Sequence, residues 1–182
     1  TNPVFVFDPN NKTNRPVKGY QDNVLIYWDI YPQIVRDLFT KSFTEGLTAP
    51  NKRVTEKQWL DAFANLMTGI ILCPGCGAEV FFDESKAAAG VAHTCWNCNR
   101  PLQYPVSIVI GKNRVLLKKG AKLLSHSIYG DYDMDTVVGE VVQNPNNPNL
   151  WGIKNESKDN WTYIRADGQQ IPVAVGRSAA IA

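Results

Sequence analysis

The spacing of apolar side chains predicts two amphipathic helices in the first part of the chain. The first follows Pro32, which suits the first turn of a helix because proline has no backbone N–H to leave unbonded. Its apolar positions recur every three or four residues, at Ile34, Val35, Leu38, Phe39 and Phe43. Gly46 comes just after this pattern and predicts the end of the helix.

The second predicted helix begins at a capping box, in which the side chains of Thr55 and Gln58 each bond the other residue's backbone N–H. Its apolar side chains form one predicted buried stripe, at Trp59, Phe63, Leu66 and Met67. Gly69 predicts its end. We expect the two helices to pack as an antiparallel pair.

The first 30 residues have a different character, because they are rich in Asn and Pro. These residue types favour turns. We therefore expect an extended, irregular segment there.

From Ile70 onward the apolar pattern shortens to alternation, which indicates strands. Short strands are predicted around the cysteines at residues 80–82 and 102–104. Further strands are predicted at residues 107–110, 114–117, 122–125, 136–142, 151–154, 161–165 and 171–173. Short, evenly spaced strands are typical of an antiparallel β-sandwich. Residues 144–149 alternate Asn with Pro and predict a loop.

Composition places the chain among folded proteins. Its 182 residues are 44% apolar and 20% charged, which is inside the globular range. No apolar run is long enough for a membrane span, so we expect a soluble, cytoplasmic protein that binds no membrane. The chain starts without Met or a signal sequence, and we expect it to be part of a longer polypeptide.

The cysteines carry the clearest chemical signal. All four lie in two CxxC pairs, Cys73/Cys76 and Cys95/Cys98, with 18 residues between the pairs. Each CxxC turn directs two sulfurs to one point, and this spacing predicts a zinc ribbon with four thiolate ligands. Four thiolates leave no open coordination position, so the single zinc is expected to be structural. Two disulfides and a redox CxxC are the alternatives.

Other chemistry-bearing residues are predicted to be structural. His93 lies two residues before Cys95, but four cysteines already complete a zinc site, and His126 has no evident catalytic partners. The spacing of three acidic residues resembles the start of a calcium-binding loop, at Asp131, Asp133 and Asp135. Such a loop requires Gly at the position of Thr136 and Glu at the position of Val142, so the pattern is incomplete. We expect a polar hairpin loop.

Several runs in the first part resemble the end of a protein-kinase C-lobe. They cover residues 2–10, 21–28, 38–47 and 53–59, the last of which resembles the Arg-x-Thr-x-x-x-Trp helix that closes that lobe. Followed by a CPxC zinc ribbon, they resemble the C-terminal part of bacterial Ser/Thr kinases found beside tellurite-resistance genes. The resemblance implies a von Willebrand A-type protein as partner, and a metal-dependent Ser/Thr phosphatase as a second companion in a phosphorylation signalling triad.

Residues 115–182 resemble a forkhead-associated (FHA) β-sandwich, most clearly at 151–157 and 161–168. In that family a phosphothreonine site uses an Arg after a Gly and a Ser-Arg-x-His turn. The corresponding stretches here lack these residues, and Glu140 would repel phosphate. Lys122, Asn155 and Ser157 are the candidate surface contacts that remain.

These observations predict an α+β chain with three parts: a helical kinase C-lobe remnant at 1–69, a zinc ribbon at 70–104 and an FHA-like β-sandwich at 105–182. The Gly-rich loop, strand Lys, His-Arg-Asp and Asp-Phe-Gly motifs of a kinase are missing, so this chain is not expected to be an enzyme, although its parent would be a Ser/Thr kinase. The predicted function is a non-catalytic regulatory and protein-interaction tail, with Trp96, Trp151 and Trp161 as candidate anchors.

The alternative is a nucleic-acid-binding zinc ribbon. Trp96 and Tyr104 would stack on bases and Arg100 would contact phosphate. Against it, residues 73–104 carry two basic and three acidic side chains, and the whole chain has a net charge of only +2. We therefore do not expect nucleic acid as the main partner.

Overall fold

A computed structural model describes residues 3–103, 106–110, 113–165 and 167–181. The chain divides into two compact units, Thr1–Tyr104 and Pro105–Ala182. Helices and several small antiparallel sheets make up these units, which confirms the predicted α+β class. The finer division of the first unit, into parts at 1–69 and 70–104, stays a prediction.

The first unit contains five α-helices, a short 3-10 helix and a two-stranded sheet in its described part. In chain order these are α1 (Asp22–Ile30), α2 (Gln33–Phe43), α3 (Glu45–Thr48), the 3-10 helix Pro50–Lys52, α4 (Glu56–Thr68), β1 (Ile70–Leu72), β2 (Glu79–Phe81) and α5 (Glu84–Ala88). Strands β1 and β2 pair antiparallel, with Ile71 opposite Val80. The loop between them contains the first CxxC pair.

Helix α1 corrects the prediction that all of the first 30 residues are irregular. A turn precedes the helix, in which Gly19 has a φ of +91° and donates its N–H to the Asp22 carboxylate at 2.8 Å. The side-chain oxygen of Gln21 accepts a second bond, from the backbone N–H of Val17, at 2.7 Å. The polar composition of the preceding residues concealed this helix, whose own sequence is mostly apolar.

Helix α2 begins after Pro32 as predicted, but it does not end at Gly46. It ends at Phe43, and Gly46 is buried inside the separate helix α3. A Cβ atom at Gly46 would lie 3.0 Å from the carbonyl oxygen of Lys41 and 3.5 Å from the Cα of Arg53. This glycine therefore allows a close approach of two backbone segments.

Helix α4 confirms the predicted capping box. Thr55 Oγ1 accepts a bond from the Gln58 N–H at 3.3 Å, and Gln58 Oε1 accepts one from the Thr55 N–H at 2.9 Å. Gly69 follows the last helical residue, as predicted, and donates its N–H to the Asn65 carbonyl at 3.0 Å.

The buried face of α4 differs from the predicted stripe. Phe63 is 42% exposed and Met67 is 62% exposed, whereas Ala62 and Ala64 are each 5% exposed. Trp59 packs edge-on against Phe39 of α2, with 4.9 Å between ring centroids. Two members of the predicted stripe, Trp59 and Leu66, are half-buried, so the stripe is present only in part. Ala62 and Ala64 are two residues apart and lie on different sides of the helix, which is therefore covered on more than one side.

Substitution of Thr55 by Ala should destabilise the first unit by about 1 kcal/mol, because the capping oxygen is lost from the first turn of α4. Urea unfolding of the first unit measures the effect. Thr48→Ala is the matched control, since the Thr48 hydroxyl is exposed and makes only a 3.4 Å bond to Glu45 within α3. Equal losses for the two variants would contradict this role of the capping box.

The described part of the second unit is built from antiparallel sheets and one short helix. Its elements are β3 (Ser107–Ile110), β4 (Asn113–Leu116), β5 (Lys122–Leu124), α6 (Ser125–Tyr129), β6 (Val137–Asn144), β7 (Asn147–Asn155), β8 (Trp161–Ile164), β9 (Gln170–Val173) and β10 (Ser178–Ala180). Four strands form one sheet in the order β10-β7-β6-β5, and β3-β4 and β8-β9 form two hairpin sheets.

One apolar core holds these sheets together. Its buried members come from β4, the residue after β4, and three strands of the large sheet, and they are Val115, Leu117, Leu123, Val141 and Ile153. Half-buried side chains from β3 and β8, among them Ile108 and Trp161, pack against them. The predicted strands are therefore largely present and share a core, while an FHA identity stays a prediction.

The structure corrects several strand boundaries. Only Pro145 and Asn146 form the turn between β6 and β7, so the predicted loop at 144–149 is too long. The Asn144 side chain organises this turn by accepting bonds from the N–H groups of Asn146 and Asn147, at 2.9 and 3.2 Å. A register shift next to Gln143 lets Pro148 lie in β7 although it has no N–H to donate.

Three other boundaries also differ from the prediction. Ser125 begins helix α6 and is not the last residue of a strand, and strand β10 has no predicted counterpart. Residues 102 and 103 are not a strand; pairing in this region is a single bridge between Thr94 and Pro101, and residue 104 lies outside the described residues. A three-residue alternation was too short to distinguish a strand from an extended loop.

Candidate metal centre

The first CxxC pair lies in a tight loop after β1. The Cys73 N–H donates to the carbonyl of Ala78, and the Gly77 N–H donates to the carbonyl of Cys73, both at 2.8 Å. Gly77 has a φ of +74°, which glycine adopts without steric cost. These bonds fold the chain back so that Cys73 and Cys76 project to the same side.

The second pair repeats this geometry. The Cys95 N–H donates to the carbonyl of Arg100, and the Asn99 N–H donates to the carbonyl of Cys95, again at 2.8 Å. Asn99 occupies the position of Gly77, and its φ of 58° is the only positive value among described residues other than glycine. We call the two loops, residues 73–78 and 95–100, the first and second knuckles.

The knuckles bring all four sulfur atoms together. The Sγ atoms of Cys73 and Cys98 are 3.6 Å apart, as are those of Cys76 and Cys95, and all four lie within 4.8 Å of one another. Sulfurs placed about 2.3 Å from a central ion in a tetrahedron would be about 3.8 Å apart. The four cysteines are free thiols in this arrangement and could hold a metal ion.

The cluster is buried on one side only. Cys73 is 2% exposed and Cys95 is fully buried, and both pack with Val80, Ala78 and Leu102 in a small apolar core. Cys76 and Cys98 are exposed. Each knuckle therefore contributes one inner and one outer sulfur.

Backbone and side-chain contacts give the thiols unequal acidities. A hydrogen bond from the Ala78 backbone, followed by one from the Asn97 side chain, lowers the pKa of Cys76 to about 6. A bond from the Gly75 backbone is the main cause that lowers the pKa of Cys73. The Arg100 backbone also lowers the pKa of Cys98, but desolvation by the surrounding chain and hydrogen bonds with the neighbouring sulfurs outweigh it and raise that pKa to about 12.

Side-chain packing also links the two knuckles. A Cβ atom at Gly75 would lie only 2.6 Å from Nε of Arg100, so the Arg100 side chain lies against the backbone of the first knuckle. The Trp96 indole N–H donates to the carbonyl of Glu79 at 2.8 Å. The second knuckle is thereby joined to β2.

Neither histidine belongs to the cysteine cluster. His93 is half-buried and stacks on Phe82 with 6.1 Å between ring centroids, and burial lowers its pKa. His126 is fully buried in the second unit, where its Nδ1 bonds the carbonyl of Asp131. A structural role for the two histidines stays a prediction.

The acidic run connects α6 to β6, so it is not a hairpin loop as predicted. Backbone N–H groups bond its carboxylates: Asp131 accepts from Asp133 at 3.0 Å, and Asp133 accepts from Asp135 and Thr136 at 3.0 and 2.8 Å. The carboxylate oxygens of Asp131 and Asp133 thus shape the loop.

The candidate phosphate contacts of the second unit are differently placed. Asn155 is fully buried and Ser157 is 8% exposed, so neither is the surface contact that the sequence suggested. Asn155 instead donates to the carbonyls of Asp159 and Val173, at 2.8 and 3.0 Å. Lys122 is at the surface, but its ammonium group is 2.7 Å from the carboxylate of Glu140 and is neutralised by it.

The candidate anchor tryptophans also differ in position. Trp151 and Trp161 are half-buried against the core of the second unit, whereas Trp96 is 40% exposed. Arg100 is exposed, and Tyr104 lies outside the described residues. Trp96 is therefore the candidate anchor most available to a partner.

Sequence reasoning missed how the helices contact the knuckle region. Tyr31 stacks on Phe81 with 5.6 Å between ring centroids. Tyr27 and Trp96 meet in a T-shaped contact with 6.2 Å between ring centroids. Asp83 is 3% exposed; one carboxylate oxygen caps α5, and the other accepts from the Gln33 N–H at the start of α2, at 3.2 Å. An Asp just before a helical segment is a recognisable capping signal in the sequence. The second hydrogen bond of Asp83, to Gln33 50 residues earlier, could not be recognised from the sequence.

Comparison with protein-family models, curated proteins and solved structures finds no match for this chain. Within the described ranges, every helix is too short or too polar to cross a bilayer. The function must therefore be argued from the cysteine cluster and the surfaces around it.

Proposed function

We propose that the four cysteines bind one zinc ion with a structural role. A tetrahedral set of four sulfurs is the donor set that zinc and iron prefer, and zinc is the commoner occupant of paired CxxC knuckles. The proposal depends on one observation, the convergence of four sulfurs from two equivalent knuckles. Four protein ligands leave no position for water or substrate, so the ion would stabilise the fold without performing chemistry.

The residues around the cluster fit this role. The backbone N–H groups near Cys73 and Cys76 donate to sulfur, which favours thiolates. A divalent cation would favour the thiolate of Cys98 in the same way, against the desolvation and the neighbouring sulfurs that raise its pKa. The inner cysteines Cys73 and Cys95 would connect the ion to the apolar core below it. Together these features resemble a zinc ribbon at residues 70–104.

Elemental analysis of the freshly purified chain tests the metal proposal. We expect one equivalent of zinc per chain, retained through dialysis against metal-free buffer, because structural zinc sites bind tightly at neutral pH. Iron in place of zinc, or less than half an equivalent of any metal in folded protein, would overturn the assignment.

We further propose that the chain is a non-catalytic, cytoplasmic interaction region of a bacterial Ser/Thr kinase system. Two features support this: the resemblance of the first part to a kinase C-lobe end, and the exposed aromatic side chains Tyr27 and Trp96 near the second knuckle. The second unit would be an FHA-like domain that does not use the usual phosphothreonine residues. The proposed partner is the von Willebrand A-type protein of the same gene cluster, with the phosphatase as a further member.

Isothermal titration of the zinc-loaded chain against the von Willebrand A-type protein tests the partner. We expect saturable binding with a Kd below about 50 µM, which is within the range of transient signalling interfaces. A duplex and a single-stranded oligonucleotide provide the comparison. Binding to an oligonucleotide with strong salt dependence, and none to the protein, would replace the proposal with the nucleic-acid alternative.

A further inference from the structure

A small pocket lies between α1, β2 and the second knuckle in the first unit. Its volume is about 260 Å³, and its lining residues are Tyr27, Ile30, Tyr31, Glu79, Phe81 and Trp96. Sites for drug-sized ligands usually measure about 300–1,000 Å³. This pocket, called the aromatic pocket below, is thus of a size for one side chain of a partner.

Aromatic rings form most of its walls. Tyr31 and Phe81 are nearly parallel, with 15° between their planes, whereas Tyr27 and Trp96 meet at 66°. Tyr27 is 52% exposed, Tyr31 38% and Trp96 40%. The bond from the Trp96 indole N–H to the Glu79 carbonyl fixes this ring against the end of β2. The rings are therefore held in place and accessible from solvent.

The charge of the aromatic pocket favours a cation. Its lining has one carboxylate, Glu79, and no basic side chain among the residues that the structure describes. Aromatic faces carry partial negative charge and attract cations within about 6 Å of the ring centre. Glu79 and Phe81 are two residues apart in β2, so their side chains leave the strand on the same face. An acidic residue on the face that carries Phe81 makes the pocket electrostatically complementary to a positive group.

We propose that the aromatic pocket binds the guanidinium group of an arginine side chain from a partner protein. A guanidinium is planar, stacks on aromatic faces and pairs with carboxylates, so both kinds of lining group would contact it. The same unit already contains one such contact, since Arg15 Cζ lies 5.8 Å from the centre of the Phe7 ring. This inference builds on the proposed interaction role by naming the residue type that is recognised.

Titration with short peptides tests the proposal without the proposed partner, so its failure is separate from a failure of the partner assignment. The probes are acetyl-Gly-Gly-Arg-Gly-Gly-amide and the same peptide with neutral citrulline in place of arginine. NMR of the full chain with its metal retained follows the indole N–H of Trp96 and the amides of α1. We expect saturable shifts there, with binding at least about fivefold tighter for the arginine peptide.

Paired variants locate the charge that matters. Glu79→Gln keeps the shape of the pocket. It should weaken binding of the arginine peptide and leave binding of the citrulline peptide unchanged. Glu56→Gln removes one exposed carboxylate from the first turn of α4, outside the pocket lining, and should have no effect. The proposal is overturned if Trp96 shows no saturable shift up to about 10 mM peptide, or if the two peptides bind equally. It is also overturned if both variants lose the same affinity for the arginine peptide.

Discussion

Replacement of Cys95 by Ser should abolish metal binding and unfold the region around the knuckles. Cys95 is fully buried, lies in the small core with Cys73 and Val80, and supplies one of only four clustered sulfurs among the described residues. Zinc binding contributes about 10–16 kcal/mol of apparent free energy in small zinc-dependent folds at neutral pH. That core is too small to replace a contribution of this size.

Zinc content and thermal unfolding of the first unit measure this effect. Pro74→Ala is the matched control, since Pro74 is an exposed residue of the first knuckle and contributes no sulfur. A chelator added to the unsubstituted chain should reproduce the loss seen with Cys95→Ser, which separates metal removal from a packing defect. If Cys95→Ser keeps a full equivalent of zinc and an unchanged midpoint, the four-cysteine site is wrong.

Replacement of Leu123 by Ala should destabilise the second unit by about 2–5 kcal/mol. Leu123 is 1% exposed and packs with Val141 and Ile153 in the core that the sheets share. The substitution removes buried methyl groups and leaves a cavity that the surrounding strands fill only in part. Because a domain is stable by about 5–15 kcal/mol in total, this loss is a large fraction of the whole.

Urea unfolding measures the loss, with hydrogen exchange of the β6 and β7 amides reporting on the second unit alone. Leu150→Ala is the control, since Leu150 lies in β7 and is 41% exposed. The loss from Leu150→Ala should be smaller than that from Leu123→Ala, because the Leu150 side chain is already partly in contact with water. Similar losses for the two leucines would show that Leu123 is not part of a common core.

Features that depend on neighbours in the sequence were predictable. The capping box of α4 and the paired CxxC loops each use residues a few positions apart, so their geometry follows from local spacing. Most strands of the second unit could also be predicted, because the alternation of apolar and polar side chains that indicates a strand spans only a few neighbouring residues. The same reasoning placed the four sulfurs in one cluster, which the structure confirms.

Features that depend on distant residues were not predictable. The sequence suggests that Asn155 is a polar surface residue. In the structure its side-chain amide donates a hydrogen bond to the carbonyl of Val173, 18 positions later, and this bond makes the burial of Asn155 favourable. The sequence suggests that Gly46 ends a helix. The structure shows instead that the backbone of Arg53 packs closely against Gly46, a contact that the sequence does not reveal. The aromatic pocket likewise joins α1 to β2 and the second knuckle, which no sequence pattern connects. In each case the missing information is a tertiary contact.

The unequal burial of the four sulfurs gives the cluster one accessible side and one shielded side. A chelator or oxidant arriving from solvent meets the exposed Cys76 and Cys98 first, one from each knuckle. Cys73 and Cys95 lie behind them, where the apolar core shields both sulfurs. The two outer sulfurs are therefore the ones that a thiol-directed reagent in solvent would reach first, and the two inner sulfurs would be reached only after the loops move.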